Sequence, residues 1–394
     1  MITYQEAQNI IASQAKSFGI EVIDLNNADG RILAKDMFAD RDYPPFNRSA
    51  MDGYAIRHED WINGIRIFEV QEVIYAGNTP ERELNQASAF KIMTGAAVPY
   101  PANTVIRRED SVESGNKVSF NIDSLKEFKN IARKGEDLKK ADLAIASNSL
   151  CTPAVIGTLA TIGKSKIPVE ALPKVALFTT GNEVKNLNEE ISDVEIRNSN
   201  FYMLKSLLKG WQITPVVYKH LADSKTELKD SIEKALHLDI LILSGGVSAG
   251  DADFVPEVLE NLGVKKLFHK VAIKPGKPFW CGKMPEGPIV FALPGNPFSS
   301  FVTFKLFIEP FLRKSAGLTP QIPLKSFFHG KKDKKTNLDE FFPVKFCNSG
   351  TKVEATILNG SGDIRLGLDA DALGIHPSDI ELLIEGQEIQ YFKL

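Results

Sequence analysis

Three observations predict a multidomain protein that combines an α/β domain with β-rich domains: its length, a regular alternation of strand and helix after Pro173, and turn-punctuated β texture on either side of that alternation. At 394 residues the chain exceeds what one hydrophobic core usually serves. The balance of 43% hydrophobic and 25% charged residues is that of an ordinary globular protein, so neither disorder nor a fibre is indicated. A net charge of −3 and an isoelectric point near 6.1 exclude a global attraction for nucleic acid or an anionic membrane, while leaving room for a local basic cleft that holds phosphate. Cys151, Cys281 and Cys347 are odd in number and far apart. That excludes a disulfide framework and a thiolate metal site, and fits a reducing, cytoplasmic compartment. Met1 to Lys16 reads as an amphipathic helix rather than an export signal, and no apolar run approaches the ~18 residues of a membrane span.

In chain order, Thr3 to Phe18 has helical spacing, with Ala7, Ile10 and Ile11 on one face. Short β-rich runs such as Ile65 to Ile74 and Lys117 to Ile122, set between Gly, Pro, Asn and Ser, predict an inserted β domain over 41–140. The helix-like Cys151 to Ile162 folds back towards the first helix, giving a discontinuous first domain over 1–40 and 141–172. Pro168 and Pro173 mark a linker.

Over 173–318 the expected strands are Val175 to Phe178, Ile213 to Tyr218, Ile240 to Leu243, Leu267 to Ile273 and Ile289 to Leu293. Helices start near Asn200, after the capping-box sequence Ser224-Lys225-Thr226-Glu227, near Asp253, and at Pro297, the last running to about Lys314. Alternation of this kind implies a parallel sheet covered by helices. Beyond Pro320, runs such as Val353 to Ile357 and Ile380 to Ile384 predict a small β domain over 319–394.

Ligands of open parallel sheets bind outside the carboxyl ends of the strands. The loops Thr179-Thr180-Gly181-Asn182-Glu183, Ser244 to Asp253 (SGGVSAGDAD) and Leu293-Pro294-Gly295-Asn296-Pro297 leave three such ends. Each joins glycine to polar side chains ahead of a helix, an arrangement suited to phosphate. One such loop can be a plain tight connection; three at one edge point to a nucleotide-like or phosphorylated ligand. Glu183, Asp223 and Asp253 add hard oxygen ligands of the kind that hold magnesium against substrate phosphates. Lys270 and Lys274, placed on one strand face by period two, suit a diphosphate, with Lys277 just beyond; solvated strand lysines are the alternative. In the first third of the chain, Tyr43 to Ala55 is dense in polar and turn-forming residues, although Asp52-Gly53 alone is also a common hairpin turn. Ile92-Met93-Thr94-Gly95-Ala96 reads as a strand end with a glycine.

These segments resemble, in order and spacing, the signature set of the molybdopterin molybdenumtransferase (MoeA-type) family, related to the C-terminal part of gephyrin-like proteins. The pieces that carry the resemblance are Ser49 to Ala55 (SAMDGYA), Ile92 to Ala96, Thr180 to Glu183, Ile196 to Asn200 (IRNSN), Ser244 to Ser248 (SGGVS), Lys274 to Pro278 (KPGKP) and Leu293 to Pro297 (LPGNP). The resemblance implies a three-layer α/β molybdopterin-binding domain, a C-terminal β-barrel domain and an elongated homodimer with the cleft shared across subunits. It implies adenylylated molybdopterin and molybdate as substrates, Mg2+ as cofactor and AMP as released product. Asp52, Glu183, Asp223 and Asp253 match functional positions, with Glu183, Asp223 and Asp253 assigned to metal. Thr94, Ser244, Gly245, Gly246, Ser248, Lys270, Lys274, Pro294, Gly295 and Pro297 are expected to bind substrate. The chain departs from the family pattern at Asn47 and Asn103, where aspartate is frequent, and at Asn337, the nearest match to a C-terminal arginine; Lys334 or Lys335 is the available substitute charge. Two other readings share these residues: a molybdopterin adenylyltransferase, opposed by the Met51-Asp52-Gly53-Tyr54 segment, and a non-catalytic scaffold, opposed by the retained acids.

Overall fold

The apolar runs between Val175 and Leu293 form a six-stranded sheet in the spatial order Val217–Leu221, Val175–Thr180, Ile240–Ser244, Ile289–Leu293, Trp280–Lys283, Lys265–His269. The first four strands are parallel, and Trp280–Lys283 is antiparallel to both its neighbours. Register places Val175, Ile240 and Ile289 side by side, so alternate residues sort onto two faces. Leu177, Ile242 and Phe291 pack on one face with Leu204, Leu208, Phe298 and Val302 from helices Ser199–Lys209 and Pro297–Thr303. Phe178, Leu241 and Val290 pack on the other with Leu228, Ile232 and Val258 from helices Lys225–Glu233 and Val255–Asn261. Burial on both faces makes the three layers and explains why the strands read as continuous apolar runs. The computed structural model describes residues 1–247, 254–347, 350–365 and 367–394.

Two expected strands are corrected. The run at Ile213 does not begin a strand: Gln212 is left-handed at φ 60°, Pro215 cannot donate to a ladder, and pairing starts at Val217. The run from Leu267 to Ile273 breaks at Lys270, whose φ of 70° ends the strand at His269. Ile273–Lys274 then pairs with Asp339–Glu340 of a different sheet. Lys270 and Lys274 therefore do not share a strand face.

The opening helix is shorter than expected, Tyr4–Ser13, with Thr3 and Glu6 forming a capping box and Ala7 and Ile11 buried. It packs against the last helical stretch of the α/β part, where Phe304–Ile308 is a π-helical turn before the helix Glu309–Ser315. Pro310 explains that turn, since it has no N–H for the Leu306 carbonyl four residues back. Gln8 Nε2 donates to that carbonyl at 3.3 Å instead.

C-terminally, five strands close into a barrel: Asp339–Cys347, Lys352–Ala355, Leu324–His329, Glu388–Lys393 and Ala372–His376, which pairs back with Asp339–Cys347. Phe328, Phe342, Val344, Val353 and Ile389 fill it. Of the two runs read here from sequence, Lys352–Ala355 is a barrel strand, whereas Leu382–Leu383 makes only a short pairing with Lys332–Asp333. By contact density these parts, with Met1–Val22 and Gly30–Ala34, form one compact unit, and Ile23–Asp29 with Lys35–Ile167 form another. The second unit holds a six-stranded sheet in which Gly53–Ile56 lies between Thr104–Arg107 and Ser88–Ile92. Among the described residues, no helix is long and apolar enough to cross a membrane.

Candidate functional site

The three strand-end loops of the α/β sheet open into a cleft of about 1340 Å³. Glu183, Asp223, Ser244, Gly245, Gly246 and Lys274 line it, as do Pro294, Gly295 and Pro297 of the third loop. Barrel residues such as Thr336, Glu340 and Ser361 form part of the wall. Most of the residues expected at the sheet edge thus gather in one hollow. Lys270 is not among the described residues lining it. Asp253 and Ser248 lie outside the described residues.

Hydrogen bonds fix each loop. Asn182 and Asp223 clasp one another: the Asn182 N–H donates to Asp223 Oδ2 at 3.1 Å, and the Asp223 N–H donates to Asn182 Oδ1 at 3.1 Å. Behind this clasp, Asn198 caps the helix Ser199–Lys209 by accepting from the Phe201 N–H, and its Nδ2 donates to Thr179 Oγ1 at 2.8 Å. Thr179 Oγ1 is 3.1 Å from His220 Nδ1, and His220 Nε2 is 3.0 Å from the Gly181 carbonyl. A carbonyl only accepts, so Nε2 carries the proton in the neutral ring and the threonine hydroxyl donates to Nδ1. The relay therefore holds the Gly181 turn that presents Glu183. On the other side, Asn200 Nδ2 donates to Ser244 Oγ at 2.9 Å and to the Gly295 carbonyl at 2.7 Å, joining the second and third loops. His220, Asn198 and Asn200 were not singled out in the sequence as site residues. The IRNSN segment was the available signal, but only the sheet register shows that its two asparagines reach neighbouring strand ends.

Glycine is required unequally. Gly245 has φ 103°, and a Cβ there would meet Thr180 Oγ1 at 2.6 Å and the Thr180 carbonyl oxygen at 2.8 Å. Gly246, at φ 66°, would place a Cβ 2.9 Å from Val255. Gly295 meets nothing closer than 3.6 Å, so packing alone does not demand glycine in the third loop. Thr180 Oγ1 and Asn200 Oδ1 are buried without a hydrogen-bond partner, as is Thr336 Oγ1 on the barrel side. Unpaired buried polar atoms are rare in folded proteins, so their gathering around one hollow marks it as a candidate site.

The cleft carries both signs of charge. Glu195, at its rim, accepts from the Ser192 N–H and Oγ at 2.9 Å each and from Lys185 at 3.2 Å, which holds its carboxyl near 2 and occupies its oxygens. Among the described residues lining the α/β edge, Glu183 and Asp223 are the remaining carboxylates. They suit Mg2+, which is commonly bound by one or two carboxylates completed by water and substrate phosphate. Among the described residues no group of three potential metal ligands exists, so any such ion depends on donors beyond these two.

In the second unit, Asp52 and Thr94 are brought together. The Thr94 N–H and Oγ each donate to Asp52 Oδ1 at 2.7 Å, holding the carboxyl below its usual range. Gly53 is not a hairpin turn: it opens the strand Gly53–Ile56, and the Ile106 carbonyl oxygen would lie 1.9 Å from any Cβ there.

The departures from the family pattern acquire local reasons. Asn103 Oδ1 accepts from the His58 N–H at 2.7 Å while its Nδ2 donates to Glu127 at 2.8 Å, a pairing that aspartate could not make. Asn103→Asp should therefore lower stability by about 1 kcal/mol at neutral pH through like-charge repulsion. The deficit should shrink as pH falls and the carboxylates protonate; urea melts at pH 7 and pH 4.5 that show an equal deficit would contradict this. Asn47 Oδ1 accepts from the Lys134 N–H at 3.0 Å, a task either residue can perform. Lys334 cannot replace the missing arginine, because its ammonium donates to the Leu338, His376 and Pro377 carbonyls. Asn337 and Lys335 are both exposed.

Known proteins resemble this chain over most of its length. Residues 2–163 match a family described as the MoeA N-terminal region (domain I and II), and residues 176–314 match a probable molybdopterin binding domain. The chain is 37% identical over 302 residues to a molybdopterin molybdenumtransferase of Staphylococcus epidermidis, covering 75% of this chain and 71% of that protein. It is 32% identical over 370 residues to one from Synechocystis, covering 92% of each. The crystal structure of a molybdopterin biosynthesis moeA protein from Pyrococcus horikoshii superposes with a TM-score of 0.85 at 29% identity, over the full length of both chains.

Proposed function

Because the chain belongs to the molybdopterin molybdenumtransferase family, we propose that its cleft binds adenylylated molybdopterin and receives molybdenum from molybdate, with release of AMP. The observation that carries this reading is the convergence of Glu183, Asp223, Lys274 and the Gly245-Gly246 turn on one hollow with unsatisfied hydroxyl and amide atoms. Phosphoanhydride cleavage asks mainly for positioning and charge neutralisation, which is what these groups offer.

In this proposal Glu183 and Asp223 hold Mg2+, with Asp253 as a third donor from the segment outside the described residues. The ion, when bound, neutralises phosphate charge and polarises the bond that breaks. The glycine turn brings main chain close to the phosphates, Ser244 and Asn200 fix the loop spacing, and the Pro294 to Pro297 loop shapes the pterin end. The proposal includes a homodimer in which Asp52 and Thr94 of one copy serve the cleft of the other, and a cytoplasmic location suited to the free thiols of Cys281 and Cys347.

The decisive experiment incubates purified protein in two mixtures. One contains adenylylated molybdopterin, molybdate and magnesium; the other contains molybdopterin and ATP. AMP and molybdenum cofactor should form in the first. Product in the second mixture only would assign the chain to adenylylation instead, and product in neither would favour a binding role.

A further inference from the structure

Lys274, expected to meet substrate charge, is not a free cation. Its Nζ lies 3.2 Å from Glu340 Oε2, and the other oxygen of that carboxylate lies 2.5 Å from Lys332 Nζ. Main-chain pairing sets this up: Ile273–Lys274 runs parallel to Asp339–Glu340, with Lys274 directly beside Glu340. The three side chains differ in surroundings. Glu340 is 11% exposed and lines the cleft, Lys332 is 18% exposed with its ammonium 4.8 Å from the Phe342 ring centroid, and Lys274 is 50% exposed. Lys332 is thus the more enclosed, fixed partner and Lys274 the movable one. Burial pushes the Glu340 carboxyl up, but the hydrogen bond and charge of Lys332, and then Lys274, hold it below its ordinary value, so it is ionised at neutral pH.

We infer that Glu340 is an internal counter-ion which occupies Lys274 and must be exchanged for the phosphate or oxyanion that enters the cleft, with Lys332 setting how tightly Glu340 holds on. This rests on the proposed anion-binding role of the cleft. Its consequence is a sensitivity of opposite sign at two neighbouring residues. Removing the carboxylate charge frees Lys274 and leaves the charge of Lys332 uncompensated behind it, so an incoming anion meets a more positive wall. Removing Lys332 leaves Glu340 with Lys274 alone, so the anion competes against a stronger pair. A carboxylate that merely braced the barrel lip would not produce opposite signs.

The test measures pyrophosphate binding by calorimetry, at low salt without magnesium, for the wild-type chain, Glu340→Gln and Lys332→Gln. Glu340→Gln should bind about three- to tenfold tighter and Lys332→Gln about threefold weaker, with both differences shrinking at high salt. Circular dichroism of each variant checks folding; Glu340→Ala, which also removes the charge, replaces a Glu340→Gln that fails to fold and should likewise bind tighter, while Glu340→Asp, which keeps the charge, should bind like wild type. Wild-type binding with no tightening in Glu340→Gln, or with both variants weakened alike, overturns the exchange while sparing the proposed function. Absence of pyrophosphate binding in wild type as well as the variants overturns both.

Discussion

Asp52→Asn is expected to reduce molybdate-dependent AMP release by about a hundredfold or more while leaving the unfolding midpoint nearly unchanged. Asparagine has the same shape, and its Oδ1 can still accept both the Thr94 N–H and the Thr94 hydroxyl that now meet Asp52 at 2.7 Å. Only the negative charge is lost. Asp52 is exposed, so that charge is not needed to satisfy a buried partner, and a large kinetic effect would place it in the reaction rather than in the scaffold. Thr94→Val is the companion. It deletes the hydroxyl donor but keeps the N–H, and should cost about tenfold. The pH dependence follows in sign from the depressed carboxyl: a folded-state value below the ordinary 3.8 means that the ionised form persists through the neutral range. Whatever Asp52 contributes is present above its unfolded value and lost only as pH falls through the lower folded one. Activity between pH 5 and pH 8 should therefore show no titration from this residue. Turnover of Asp52→Asn within twofold of wild type would remove Asp52 from the proposed chemistry.

Much of the α/β architecture was legible because it is written in local patterns. Val175, Ile240 and Ile289 head apolar runs that only a sheet covered on both faces can bury, and Ser224 and Pro297 mark helix starts through a cap and a fixed φ, while the start expected near Asn200 lies at Ser199 with Asn198 as its cap. The loops at the strand ends followed from topology, and the cleft lies there. The failures have equally specific causes. Lys270 reads as an ordinary strand residue, yet its left-handed backbone ends the strand, and no side-chain signal at a lysine announces that. Trp280–Lys283 was missed because four residues between Pro278 and the Met284 to Gly287 turn carry too little periodicity to separate a strand from a connection. The barrel was the least legible part. Its closure depends on Asp339–Cys347 pairing with both Lys352–Ala355 and Ala372–His376, and long-range pairing leaves almost no trace in local composition. Glu340 was overlooked for the same reason: nothing near it in sequence indicates that Lys274, 66 positions away, is its partner.

Gly245→Ala should be among the most damaging single changes in the α/β unit, and its cost can be divided. Alanine at φ 103° is strained wherever it sits, by about 1–2 kcal/mol. At Gly245 the new Cβ also meets the Thr180 carbonyl oxygen at 2.8 Å and Thr180 Oγ1 at 2.6 Å. Relief is difficult, because Thr179 and Ser244 are locked in parallel register and the Gly245 N–H donates to the Leu293 carbonyl at 3.1 Å. Overpacking against main chain adds about 1–3 kcal/mol. Gly19 supplies the control: its φ is 104°, but a Cβ there would meet nothing within 4 Å. Gly19→Ala should therefore show the conformational cost alone, and Gly245→Ala should exceed it by about 1–3 kcal/mol in urea unfolding. Pyrophosphate binding should fall in Gly245→Ala and hold in Gly19→Ala, since only the former rearranges the turn beside the unpartnered Thr180 hydroxyl. Equal losses of stability in the two variants would mean that the turn yields to a side chain. In that case close main-chain approach could not be what the second loop contributes to the cleft.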